Sequence, residues 1–216
     1  MLLKPMPRRA AIIAAIALTA AALALLRWVL ATKFYPVRNA PVAGHRIVAF
    51  GDSLIAGSGA SPGRDFVSLL SLALQRPIVN AGLAGDTTTA ALSRLSTVLE
   101  EHRPDLVIVL LGGNDALQRV PRAATVANLR RIITDIQNQG AAVLLLGVRG
   151  GAVGDPYRRE FAKLARHTGA AYVPNVLDSV WGNHYLMADE VHPNDLGHAV
   201  IFDRVLPAVR QLLRPQ

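Results

Sequence analysis

Beyond Gly44 the chain alternates between two hydrophobic rhythms. Short continuous apolar runs at 46–50, 77–81, 106–111, 142–148 and 170–173 read as buried strands. Between them Leu92, Leu95 and Leu99, and then Val126, Leu129, Ile133 and Ile136, recur at three- and four-residue spacing. Each set lays one apolar stripe along a helix. A third helix is expected over 157–166, and a last one from about Asn194 to about Leu213. Continuous apolar strands joined by helices predict a parallel sheet covered on both faces with right-handed crossovers, a three-layer α/β/α domain.

A different pattern precedes this domain. From Ala10 to Leu26 there are 17 residues without a charge, rich in Ala, Leu and Ile, preceded by Lys4, Arg8 and Arg9 and closed by Arg27 and Trp28. With the residues to Ala31 the stretch approaches the roughly 20 needed to cross about 30 Å of hydrocarbon. The expectation is one transmembrane helix over about 10–30, a signal anchor within 1–31, with the basic end inside and the rest of the chain extracytoplasmic, in the periplasm. Secretion after cleavage at Val29-Leu30-Ala31 is the alternative, disfavoured because the apolar run exceeds the roughly 7–15 residues of a cleavable signal. Residues 32–44, with Pro36, Asn39, Pro41 and Gly44, read as a linker, and 45–216 as one catalytic-size domain.

Charge changes this picture little. The formal net charge is +8, but six of the 23 basic residues precede Asn39 with no acid among them, leaving 17 against 15 acidic residues afterwards. No basic run with interleaved aromatics follows, so no nucleic-acid partner is expected. The absence of cysteine excludes disulfides and thiolate metal sites.

In a parallel sheet every strand's carboxyl end opens on one rim, so the residues after each strand carry the candidate chemistry. Gly51-Asp52-Ser53 follows the first strand, Asn80 to Thr89 the second, and Gly112-Gly113-Asn114-Asp115 the third. Asp189 and His192 lie just before the last helix. A serine hydroxyl becomes a competent nucleophile when an imidazole, itself held by a carboxylate, can take its proton. Asp189, three residues before His192, can fold back onto Nδ1 and leave Nε2 for Ser53, while Pro193 holds His192 in an extended conformation. Ser53 could equally be a helix cap. The backbone N–H of Ser53, the N–H of Gly85 and the side-chain amide of Asn114 are candidate donors to an oxyanion. Gly85 is expected there because a missing Cβ permits close approach, although a plain turn would also use it. A metal site of His184, Asp189 and His192 lacks a ligand spacing that would support it. The remaining histidines, His198 in the last helix among them, are expected in solvated or capping positions.

Gly51-Asp52-Ser53-Leu54, the glycine of Ala84-Gly85-Asp86-Thr87, Gly112-Gly113-Asn114-Asp115 and Asp189-x-x-His192-Pro193 resemble, in order and spacing, the four blocks of the SGNH (GDSL) hydrolase superfamily. The likeness spans about Arg46 to Leu213 and is strongest toward the arylesterase, acyl-thioesterase and lysophospholipase branch. It implies a flavodoxin-like five-stranded sheet of order 2-1-3-4-5. It also implies Ser53 as nucleophile, His192 as base, Asp189 as its orienter, and Ser53, Gly85 and Asn114 as the oxyanion hole, with no cofactor and no metal. The expected substrate is a small acyl ester or thioester, in an open cleft flanked by 148–156 and by Trp181, Tyr185, Leu186 and Met187. A carbohydrate O-acetyl esterase of the cell envelope and a non-catalytic binding protein are the alternatives. Nothing in the sequence sets the oligomeric state.

Overall fold

The computed structural model describes residues 35–148 and 155–213. These fall almost wholly in the second of the two units into which the chain divides, Val37–Gln216. In chain order this unit contains β1 (Ile47–Gly51), α1 (Ser53–Ala56), α2 (Phe66–Leu74), β2 (Ile78–Gly82), α3 (Thr88–His102), β3 (Leu106–Leu110), α4 (Gly113–Leu117), α5 (Arg122–Asn138), β4 (Ala142–Leu146), α6 (Pro156–Thr168), β5 (Ala171–Val173) and α7 (Asp195–Leu212). The strands form one parallel sheet in the order β2-β1-β3-β4-β5. Helix α2 packs on α7, and α3, α5 and α6 pack in series, giving the three layers expected from the sequence.

Strands β1, β3 and β4 are buried along their whole length, which explains why they read as unbroken apolar runs. The edge strand β2 is different. Val79 and Asn80 are exposed, so coverage on both faces stops short of that edge. The stripes of α3 and α5 point inward through Leu95 and Leu99 and through Leu129, Ile133 and Ile136, whereas Leu92 and Val126 lie at the margin.

Three helices escape the periodicity. Helices α1 and α4 have four and five residues, too few to display a period, and in α2 apolar residues such as the 77%-exposed Leu72 also occupy the outer face and blur the stripe. The signals of α1 and α2 are caps: Asp52 accepts from Leu54 N, and Asp65 accepts from Ser68 N. Nor are residues 38–44 a free linker. Arg38 N donates to Gly169 O, Asn39 Nδ2 to the carbonyls of Gln137 and Ala141, and Val42 is buried with its N–H on Leu212 O.

The apolar N-terminal segment lies outside the described residues. Among the described residues no helix is long and apolar enough to cross a membrane.

Strand register places the functional loops. Gly51 is level with Gly82 on one side and Leu110 on the other, and Leu110 is level with Leu146. The chain therefore leaves β1, β2 and β3 at one height on the sheet. At Gly51 a Cβ would stand 2.1 Å from Leu110 O and 2.7 Å from the Ile55 side chain. The Leu110 carbonyl cannot yield without moving a central strand. Gly51→Ala should accordingly destabilise the domain by about 3 kcal/mol or more; a urea midpoint equal to that of the wild type would show that the strands can part to admit a methyl group.

Candidate active site

Ser53 begins α1, but the cap of that helix is Asp52. Because the Asp52 side chain takes Leu54 N at 3.0 Å, the Ser53 hydroxyl is released from capping. Its Oγ lies 3.1 Å from His192 Nε2, and His192 Nδ1 lies 2.8 Å from Asp189 Oδ2. The other Asp189 oxygen accepts the N–H groups of Val191 and His192 at 2.8 and 2.7 Å. The hydrogen bond from His192 and these two amides hold the Asp189 carboxyl at a pKa of about 2, so it is ionised at any pH where the protein works.

The loop that carries this pair is tied at both ends. Ala188 N donates to His192 O, and Asn194 N to Leu186 O. Asn194 Nδ2 donates to Tyr185 O while its Oδ1 caps α7 through Leu196 N and Gly197 N. Behind His192 sits Gly59, at φ +90°; a Cβ there would meet Pro193 O at 2.3 Å and the His192 Cβ at 3.1 Å.

Asn114, the second residue of α4, donates from Nδ2 to Asp86 O at 2.9 Å. That bond fixes the amide and joins the loop after β3 to the loop after β2, leaving the second amide hydrogen free to act. Gly85 occupies the third position of a turn closed by Asp86 N and Leu83 O, at φ +85°. A Cβ on it would meet nothing within 4 Å. The left-handed backbone angle favours glycine here whatever approaches it. The N–H groups of Ser53 and Gly85 have no acceptor among the described residues.

Ser53, Asn114 and His192 line a cleft of about 290 Å³. Asp189 and Gly85 stand outside its wall. Of the apolar residues expected to flank it, Trp181 and Val148 do so; Leu186 and Met187 do not, and Tyr185 is 72% exposed with its ring tilted 39° against that of His184. Residues 149–154 of the expected flanking loop lie outside the described residues. Leu117, Arg119, Leu177 and Val191 complete the wall without having been anticipated. No three His, Cys, Asp or Glu side chains among the described residues are grouped to hold a metal ion, His184 with Asp189 and His192 included.

Arg119 has an unusual backbone. Val120 N donates to Asp115 O and Arg119 N to Ala116 O, the two bonds of a Schellman motif ending α4, with Arg119 at φ +56° in the position that normally belongs to glycine. A non-glycine residue there costs about 1 kcal/mol.

His198 was expected to be solvated. Instead it is buried, its Nδ1 accepting Phe66 N at 3.3 Å and its Nε2 donating to Ser58 O at 3.2 Å, with the ring stacked on Phe66. Burial lowers its pKa and keeps the ring neutral. Only a contact 132 residues away in sequence identifies this role.

Three acids in the segments after β1, β2 and β3 are buried, and one of them, Asp52, lines the cleft. Asp115 accepts from Thr88 N, Thr88 Oγ1 and Thr125 Oγ1, and Asp86 pairs with Arg94, whose guanidinium also reaches Gly51 O and covers the Phe50 ring. Asp52, 2% exposed, has no cation of its own. Burial, with further repulsion from Asp86 and Asp115, pushes its carboxyl up to about 7 despite the Leu54 N–H bond.

A doubly wound sheet of this order, with a serine after its first strand and an Asp-x-x-His pair before its last helix, is the architecture of the SGNH hydrolases. The chain belongs to the GDSL-like lipase/acylhydrolase family, whose pattern matches residues 49–200, and is an ester-hydrolysing enzyme. Esterase TesA of Pseudomonas aeruginosa is 32% identical over 182 residues, covering 79% of this chain and 90% of that one. The thioesterase 1/protease 1/lysophospholipase L1 of Escherichia coli K12 is 30% identical over 179 residues, covering 79% and 86%. The crystal structure of TesA gives a TM-score of 0.73 at 32% identity, covering 77% of this chain and 99% of that one.

Asp52 links folding to pH. The folded state keeps the proton up to about 7 while the unfolded chain releases it near 3.8, so between these values the folded state binds more protons and stability falls as pH rises. The whole difference is of the order of 4 kcal/mol. Asp52→Asn still accepts Leu54 N–H but carries no such dependence. From pH 5 to pH 8 the Tm of the wild type should fall relative to that of Asp52→Asn; parallel curves would mean that Asp52 ionises alike in both states.

Proposed function

We propose that the protein is a membrane-tethered serine esterase that hydrolyses small carboxylic esters or thioesters through Ser53, His192 and Asp189. The reading rests on one observation, the unbroken chain from Ser53 Oγ to His192 Nε2 at 3.1 Å and from His192 Nδ1 to Asp189 Oδ2 at 2.8 Å. Ser53 Oγ attacks the substrate carbonyl carbon as Nε2 takes its proton. The same proton then passes to the departing alkoxide or thiolate, leaving an acyl-Ser53 ester. Water, deprotonated by His192, attacks that ester and frees the acid and Ser53. Asp189, permanently ionised, keeps the Nδ1 proton in place and stabilises the imidazolium formed at each step.

The tetrahedral oxyanion is received by Ser53 N–H, Gly85 N–H and Asn114 Nδ2. Support comes from the two unclaimed backbone donors and from the bond to Asp86 O that pre-orients the amide. The apolar cleft wall suits a single acyl chain, in keeping with relatives named esterase, thioesterase and lysophospholipase. The apolar run over about 10–30 serves as a signal anchor holding domain 45–216 outside the cytoplasm, close to lipid-derived esters.

With full-length protein and p-nitrophenyl esters of graded chain length, Ser53→Ala should abolish turnover and labelling by a fluorophosphonate. Asp189→Asn should lower kcat by several orders of magnitude, about 10⁴-fold in comparable triads. Asn114→Ala should lower kcat by about 10²- to 10³-fold with little change in KM. Full activity in Ser53→Ala would end the esterase reading, and a sharp optimum at acetate would redirect it to deacetylation. For the anchor, cell fractionation should recover the full-length chain with membranes; recovery only in the soluble fraction argues against it.

A further inference from the structure

We propose that Arg119 forms an anion subsite within the cleft, so that the favoured substrates are single-chain acyl esters or thioesters bearing a carboxylate or phosphate. The inference deepens the esterase reading above and rests on it for its substrate class. Arg119 lines the same cleft as Ser53, Asn114 and His192, beside the apolar side chains of Leu54, Leu117, Val148, Leu177, Trp181 and Val191. The one acid of that lining, Asp52, is 2% exposed, accepts Leu54 N and makes no ion pair with Arg119. Among the described residues Arg119 makes no ion pair and no side-chain hydrogen bond. The adjacent acid, Asp115, is buried and satisfied by Thr88 and Thr125.

The backbone supplies the second argument. Arg119 fills the left-handed position of a Schellman motif, where glycine would end α4 without strain. Gln75 and Arg103 also end helices at positive φ, but only Arg119 of the three does so on the cleft. A planar guanidinium at the exposed margin of an apolar cleft binds carboxylate or phosphate oxygens in bidentate fashion while the acyl chain lies on the apolar lining. The competing explanation is that the positive charge merely complements the carbonyls ending α4. The two differ in what glycine does there: it relieves the backbone in both, but it removes ligand preference only in the first.

The test compares matched substrates with the full-length chain at low ionic strength, where exposed charge acts most strongly. One pair, p-nitrophenyl valerate and p-nitrophenyl hydrogen glutarate, places the anion on the acyl side. The other, 1-hexanoylglycerol and its 3-phosphate, places it on the alcohol side. The readout is the anionic-to-neutral ratio of kcat/KM, which cancels any general effect of a substitution on the site. In at least one pair the ratio should be about 10 for the wild type, the worth of one charge-assisted hydrogen bond. It should persist in Arg119→Lys and fall toward one in Arg119→Gln and Arg119→Gly, with the Tm of Arg119→Gly at or above the wild-type value.

A ratio near one in both wild-type pairs, or one unchanged by Arg119→Gln, overturns the subsite. So does a lowered Tm in Arg119→Gly accompanied by an unchanged ratio, which assigns the residue to the helix end. Calorimetric binding of hexyl phosphate against hexanol to Ser53→Ala, with and without Arg119→Gln, keeps the two readings separate. Arg119-dependent binding without any wild-type hydrolysis sinks the esterase reading and sustains the subsite; hydrolysis without anion preference sinks the subsite alone.

Discussion

The in-register parallel pairing of β1 with β2 and β3 is the constraint on which the rest depends. It sets Gly51, Gly82 and Leu110 in one row, so that three loops far apart in sequence leave the sheet at the same height. Backbone hydrogen bonds fix that row, and two glycines permit it. At Gly82, as at Gly51, a Cβ would collide with backbone, here Ala56 N at 2.3 Å. Helix α1 therefore lies directly against the strand ends, and Ser53 at its start is delivered to the rim by the sheet itself. Only the histidine loop comes from elsewhere, and its anchorage through Asn194 to α7 gives it comparable rigidity.

Beneath this row the protein accumulates negative charge. Asp52, Asp86 and Asp115 are all buried, and among the described residues Arg94 is the one cation paired to any of them. Their division of labour follows from their partners. Asp115 is satisfied by three donors and stitches α3 to α4, while Asp86 uses Arg94 and lends its carbonyl to Asn114. Asp52 has one backbone donor and keeps its proton near neutrality. Ser53 thus follows a cap that keeps its proton up to about pH 7, while the solvated Asp189 is held ionised down to about 2.

Much of this was legible before any coordinates. Apolar runs located all five strands, most plainly the three central ones, which are buried on both faces and have no polar alternation to hide them; the residues after the strands pointed to Ser53 and Asn114, and those before the last helix to Asp189 and His192. What escaped has a common physical cause. Helices α1 and α4 are shorter than two turns and carry no period; Gly59, His198 and the cleft wall at Leu117, Leu177 and Val191 acquire meaning only from tertiary contact. Tyr185 and Leu186 misled in the opposite sense, since an aromatic and aliphatic cluster next to a histidine suggests a pocket whether it faces in or out. The chemistry was written locally, whereas the shape of the cleft was not.

The wedge formed by Gly59 and Ser58 has an uneven effect on how this enzyme can be remodelled. On that flank the chain touches the imidazole loop and the α7 histidine with no room for an added carbon atom. At the end of α4, Leu117 and Arg119 reach the same cleft with exposed side chains. Side chains there can be exchanged without the collision that an added carbon meets at Gly59, so reshaping the cleft is easier from the end of α4 than from behind the imidazole.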